Sequence, residues 1–131
     1  MVIGWDVAGV ITKIAEDVKD FSVGDEVFGT INFPGQGGAY AEYAVAPAHQ
    51  LAHKPANISM TEAAAATLAT LTAWQALIDQ GHIEKGNRVL IHGGAGGVGN
   101  YAIQIARNIG CYVITTASAS DADFVKSLGA D

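Results

Sequence analysis

Three glycines at a fixed interval carry the strongest chemical signal in the sequence: Gly93-x-x-Gly96-x-x-Gly99, within the run GGAGGVG. The run follows RVLIH (Arg88 to His92), which reads as a strand, and it opens a segment of helical period. A strand, a tight glycine turn and a helix N-terminus together make an anion site. Bare backbone N–H groups and the positive end of the helix converge there, and the group they suit is a dinucleotide pyrophosphate. A Cβ at Gly96 would stand where the phosphate must come close, which makes Gly96 the position least tolerant of a side chain. Gly99 lets the helix lie tight on the sheet. A glycine triplet is weak by itself in a chain with 16 glycines among 131 residues. The competing reading is a turn with no ligand, and the strand–turn–helix–strand order argues against it. A mononucleotide phosphate loop is disfavoured, because Val98-Gly99-Asn100 stands where a Lys-Ser or Lys-Thr pair would follow.

The end of the next strand bears on which dinucleotide is bound. An NAD site commonly places Asp or Glu about 20 residues on, against the ribose 2′-hydroxyl. Here Thr115-Thr116-Ala117-Ser118-Ala119-Ser120 offers no carboxylate, and the nearest are Asp121 and Asp123 in the following helix. Hydroxyls bind a 2′-phosphate without repelling it, so NADP(H) is expected and NAD(H) is the less favoured alternative. Ser118 and Ser120 also suit helix capping, and both roles are compatible. No metal or nucleophile constellation emerges. His49, His53, His82 and His92 have no ligand spacing, and Cys111 is the only cysteine. No catalytic acid, base or nucleophile is identified. Tyr40 and Tyr43 follow glycines and are candidates for a cleft lining, with packing the favoured role.

The second half of the chain supplies the elements that position the loop. Ser59 or Thr61 suits an N-cap, with Glu62 in the first turn, and the helix continues through the Ala-rich run. A further helical piece, Ala73 to Asp79, ends before Gly81. After the Arg88–His92 strand, Val98, Ala102, Ile105 and Ile109 make one apolar helical stripe. Cys111 to Thr116 is the next strand, and Asp121 to Leu128 a helix closed by Gly129. Right-handed crossover makes the two strands adjacent and parallel. The first half reads as short β runs between turn signals. Val7, Ala8, Val10, Ile11 and Ile14 form one strand, and Glu26–Phe28, Ala39–Ala46 and Leu51–His53 form others. Four or five strands of a small barrel or bent sheet are expected.

Composition narrows the function classes. With 7 Lys+Arg against 13 Asp+Glu, the net charge is −6, which argues against nucleic-acid and membrane-surface partners. An apolar fraction of 50% with 15% charged residues describes a folded chain. The Ala63–Leu77 run is shorter than the roughly 20 apolar residues that span a bilayer. The start, MVIGWDVAGV, shows no basic leader, and one reduced cysteine suggests a cytoplasmic protein.

Several separate motifs occur together: GWDVAGV, FSVGDEVFG, GGAYAEYAVAP, KPANISMTEAAA, LTAWQAL, RVLIHGGAGGVGNYAIQIA and SLGAD. In order and spacing they resemble the zinc-independent quinone oxidoreductase (zeta-crystallin-like) branch of the medium-chain dehydrogenase/reductase family. The resemblance covers nearly the whole chain. It implies an α/β protein with a β part, a partial GroES-like barrel followed by the first βαβα half of a Rossmann fold. Residues 1–58 would be the partial GroES-like catalytic domain, 59–87 linking helices, and 88–131 the N-terminal part of the nucleotide-binding domain. The implied reaction is hydride transfer from NADP(H) to a small electrophile, a quinone or an activated alkene or carbonyl. By resemblance Thr72 would sit near the nicotinamide. Gly93, Gly94, Ala95, Gly96, Gly97 and Val98 would cradle the pyrophosphate, and Thr116, Ala117 and Ser118 would approach the adenosine ribose. Trp5-Asp6 replaces the His-Glu pair of zinc-dependent relatives, so no zinc is expected. Close relatives often carry a basic residue after the ribose-side serine, where this chain has Ser120.

The resemblance also implies barrel strands before this chain's first residue and sheet strands after its last. A fragment with open strand edges and an uncovered sheet face is expected to form a homo-oligomer, most simply a two-fold dimer. From another functional class, a non-catalytic nucleotide-binding or scaffold module would keep the loop but lack a substrate pocket.

Overall fold

The computed structural model describes residues 2–131. They form two compact units, one ending at Leu68 and the other covering Ala69–Asp131.

The first unit holds a three-stranded antiparallel sheet of β1 (Asp6–Val10), β2 (Glu26–Thr30) and β3 (Leu51–His53), in that spatial order. Ala8 lies opposite Phe28, and Phe28 opposite Ala52. The turn signals ahead of β2 act locally: Asp25 Oδ2 accepts the Ser22 N–H at 2.8 Å, and Ile11 O accepts the Gly24 N–H at 2.8 Å. Val27 and Ile31 are buried. Asp6 ties β1 to the helix that follows the sheet, accepting the Thr67 hydroxyl and, at 3.1 Å, the Leu68 N–H.

Two expectations about strands fail here. β1 stops at Val10, leaving Ile11 and Ile14 outside it, and residues 39–46 form no strand. Only the start of the latter segment pairs, with Ala39 N–H and Tyr40 N–H donating to Gly4 O and Ile3 O. Tyr40 and Tyr43 are 76% and 77% exposed, so the packing role favoured for them fails too. Alternating apolar residues make a strand only where a neighbour offers a ladder and a surface to cover. Without those, the period-2 pattern has nothing to act on.

Helix α1 (Met60–Trp74) begins in the first unit and ends in the second. Its start is a reciprocal capping box: Ser59 Oγ accepts the Glu62 N–H at 3.2 Å, and Glu62 Oε2 accepts the Ser59 N–H at 2.8 Å. These backbone and side-chain hydrogen bonds from Ser59 hold the Glu62 carboxyl below its ordinary range. The ionised form is therefore favoured by folding. Its contribution is complete above the ordinary carboxyl pKa and is lost as the pH falls through the lowered one. Glu62→Gln should lower the urea midpoint at neutral pH and converge on the parent in acid. A difference independent of pH would contradict this. After Trp74 the helix widens to a π-turn over Gln75–Gln80, with Gly81 N–H reaching Ala76 O at 2.9 Å.

The second unit is a parallel pair, β4 (Arg88–Ile91) and β5 (Tyr112–Thr115), with α2 (Gly97–Ile109) between them in sequence and α3 (Ala122–Ser127) after. The expected parallel neighbours are present, with Leu90 opposite Ile114. Ala73, Ile91, Ala102, Ile103, Ala106, Cys111, Val113 and Val125 form one buried cluster. The α2 stripe is rotated from the expected one. Gly99, Ala102, Ile103 and Ala106 are buried, whereas Val98 is 41% exposed. The small residues mark the face that can approach the strands closely, and that approach outweighs side-chain bulk. Gly110, at φ 95°, closes α2 in the left-handed conformation. The opposite sheet face leaves Leu90, Tyr112 and Ile114 partly exposed.

In fold class the chain is an antiparallel β region followed by α/β elements built on a parallel strand pair.

Candidate dinucleotide site

The loop between β4 and α2 is fastened to the end of β5. Thr116 Oγ1 accepts the Gly93 N–H at 3.0 Å, and Thr116 O accepts the Gly94 N–H at 2.9 Å. Thr116 N–H in turn donates to Ile91 O at 3.2 Å, and Thr115 Oγ1 donates to the same carbonyl at 2.7 Å. The loop thus rests on the carboxyl ends of two parallel strands, where open α/β sheets bind ligands. His92 Nδ1 lies 3.3 Å from Thr116 Oγ1.

Three glycines make the turn sterically possible. Gly93 has φ +67°, a conformation that disfavours any side chain. A Cβ at Gly94 would collide with Thr115 Oγ1 and lie 2.8 Å from Ile103 Cδ1. A Cβ at Gly99 would collide with Gly93 O and lie 2.8 Å from Gly94 Cα. Gly96 has more room, its Cβ standing 3.2 Å from Gly93 O. Within the protein's own atoms the least tolerant positions are therefore Gly94 and Gly99 rather than Gly96. Chain crossing decides this, and the triplet spacing does not reveal it.

Helix α2 begins uncapped. Its N-cap is Gly96, no side chain caps its first-turn N–H groups, and the first turn-closing bond is Asn100 N–H to Gly96 O at 3.1 Å. No acceptor among the described residues takes the N–H groups of Gly97, Val98 and Gly99. Asn100, which sequence reasoning passed over, donates its side-chain amide to Gly96 O and Gly97 O at 2.9 Å each. Those two carbonyls are held along the helix, and the donors face outward. Three free N–H groups, a helix of 13 residues and a cradle that a Cβ would fill fit a dinucleotide pyrophosphate. Ala95, Gly96, Gly97 and Val98 line this entrance by position.

The ribose side contains a carboxylate brought there by a local turn. Ser118 Oγ lies 2.8 Å from Ser120 Oγ and donates to Asp121 Oδ2 at 2.5 Å. The short 3-10 turn over Ala119–Asp121 folds Asp121 back onto Ser118, so a carboxylate does accompany the hydroxyl run 115–120. Ala117 lies between Thr116 and Ser118 and lines the same cleft as Ser118 and Lys126. Thr72 sits exposed in the last turn of α1, next to the buried Ala73. Among the described residues, no three His, Cys, Asp or Glu side chains gather in a group able to hold a metal ion. No described helix is long and apolar enough to cross a membrane.

Residues 1–56 match the alcohol dehydrogenase GroES-like domain. The chain is 39% identical over 135 residues to the mitochondrial NAD(P)H oxidoreductase RTN4IP1 of Danio rerio, covering 100% of this chain and 35% of that protein. It is 42% identical over 135 residues to 2-methylene-furan-3-one reductase of Solanum lycopersicum, covering 98% and 34%. The solved quinone oxidoreductase from Coxiella burnetii superposes with a TM-score of 0.92 at 43% identity, covering 98% of this chain and 40% of that one. Mycobacterial Rv1454c complexed with NADPH superposes with a TM-score of 0.87 at 38% identity, covering 99% and 40%. The chain thus spans about a third of the length of these curated relatives.

These matches overturn the expected cytoplasmic location. The zebrafish relative and its mouse, human and cattle counterparts are mitochondrial by name. A lone thiol argues against a disulfide framework in an oxidising compartment, but it does not distinguish one reducing compartment from another.

Proposed function

Because the chain belongs to the medium-chain dehydrogenase/reductase fold family, as a part-length member beside the proteins it matches, we propose that it is the NADP(H)-gripping part of a zinc-independent, zeta-crystallin-like oxidoreductase. The substrate is a small electrophile, a quinone or an activated alkene or carbonyl. The observation that carries this reading is the uncapped start of α2 over a glycine turn with no space for side chains at Gly94 and Gly99. The names of the relatives support it, since they include a quinone oxidoreductase and an enone-type reductase.

When bound, the nicotinamide supplies the hydride. The chain's own contribution is binding and placement. The N–H groups of Gly97, Val98 and Gly99 hold the pyrophosphate, and Gly93, Gly94, Ala95 and Gly96 keep the approach clear. Thr116, Ala117 and Ser118 flank the adenosine ribose, and Thr72 orients the nicotinamide end. Titration of the chain with NADPH and NADH, followed by calorimetry, tests this. NADPH should bind more tightly; an NADH affinity equal to it or better would remove the NADP(H) preference. Tight binding without consumption of NADPH in the presence of quinones would point to a non-catalytic nucleotide-binding module.

The chain is further proposed to self-associate. The β4–β5 face bearing Leu90, Tyr112 and Ile114 is open to solvent, and such a patch favours a covering surface. Sedimentation equilibrium over a wide concentration range should show dimers, and a well-folded monomer at micromolar concentration would refute this.

A further inference from the structure

We infer that Asp121 acts as a selectivity residue against the cofactor's 2′-phosphate, competing with it for the hydroxyl of Ser118; this rests on the dinucleotide reading above. Ser118 stands two residues beyond Thr116, whose side chain and carbonyl hold Gly93 and Gly94. It therefore lies at the carboxyl end of β5, on the ribose side of the loop. Its hydroxyl has one proton to donate, and that proton goes to Asp121 Oδ2 at 2.5 Å. Ser120 Oγ closes the group at 2.8 Å from Ser118 Oγ. The hydroxyl that a 2′-phosphate would use is thus engaged by a carboxylate.

A 2′-phosphate must displace that carboxylate and then remain within a few ångströms of it, two anions sharing one donor. A 2′-hydroxyl meets no such conflict, because it can itself donate to Asp121. Lys126 lines the same cleft as Ser118, and among the described residues no carboxylate pairs with it. Asp131 lines that cleft as well, paired with Arg107, so Lys126 is the cleft's cation that admits a phosphate, while Asp121 opposes one through the Ser118 hydroxyl. Asp121 narrows the NADPH-over-NADH margin that the hydroxyls and Lys126 set.

Asp121→Asn keeps the shape and removes the charge. Binding of NADPH and NADH, and of adenosine 2′,5′-bisphosphate and AMP as probes of the ribose end, is measured by calorimetry on the full chain. Between a carboxylate and a phosphate this close, partly screened by water, the ratio of affinities should shift about tenfold towards the phosphorylated member of each pair. Asp123→Asn removes the same charge two residues on, from an exposed side chain with no recorded bond to Ser118, and should leave both ratios unchanged. Equal ratios in the parent and Asp121→Asn, with dinucleotide still bound, would overturn the inference alone. A shift of the same size in Asp123→Asn would also overturn it, by assigning the effect to net charge. No binding by either parent or variant would overturn the dinucleotide reading and this inference together.

Discussion

Gly99→Ala should cost the second unit about 3 kcal/mol or more and abolish dinucleotide binding, although it adds one methyl group. The added Cβ would overlap Gly93 O and press on Gly94 Cα, both backbone atoms of the loop it must lie beneath. Neither can rotate away as a side chain would. Relief requires lifting α2 off the strands, which opens the cluster around Ala102, Ile103 and Ala106, or moving the loop off Thr116, which breaks the bonds from Gly93 and Gly94. Gly97→Ala is the matched control, since a Cβ there meets nothing within 4 Å. It should be neutral, or stabilising by up to about 1 kcal/mol from helix propensity. Urea denaturation of both variants, with NADPH titration of whatever remains folded, measures the contrast. Equal stability of the two would show that the loop yields and that the close approach is unimportant.

Ile103→Ala should have the next largest effect, a loss of about 2–5 kcal/mol. Ile103 is 0% exposed, and its cluster draws on both strands, α1, α2 and α3 through Ile91, Val113, Ala73, Ala106 and Val125. Removing its outer carbons leaves a cavity bordered by several elements at once, so collapse from one side does not fill it. Its Cδ1 also lies beneath Gly94, so the loop loses its floor. NADPH affinity should therefore fall in the folded fraction as well. Ile103→Val, which keeps most of the volume, should cost only about 0.5–1.5 kcal/mol. A loss below about 1 kcal/mol in the alanine variant would mean the cluster repacks freely.

The Gly99 and Ile103 results bear on how much of the molecule can be read from its residues. Ile103 was absent from the expected stripe of Val98, Ala102, Ile105 and Ile109, yet it is the largest fully buried side chain of the helix. Periodicity identified the helix and its length, but an amphipathic wheel with apolar residues around much of its circumference does not select a face. Close approach to the loop at Gly99 and packing of Ala102 in the cluster with Ile91 and Val113 do that. The expected strand over 39–46 failed for a related reason, since alternation is a property of one segment and a ladder requires two.

What the sequence determined alone was local and covalently close. GGAGGVG became a turn leading into a helix. Ser59 and Glu62 closed their box across three residues, and Gly110 ended α2. Each depends on backbone preference or on partners within about one helical turn, so the local chain suffices. Tertiary structure decided which face of α2 lies on the sheet, which glycines have no room for a side chain, and how the loop is tied to Thr116. These depend on how the loop, α2 and the end of β5 meet in space, with Gly99 against Gly93 and Gly94 and with Gly93 and Gly94 against Thr116. Asp121 lies between the two cases: only three residues from Ser118, it is folded back onto that hydroxyl by a turn that the bare run of serines and aspartates does not dictate.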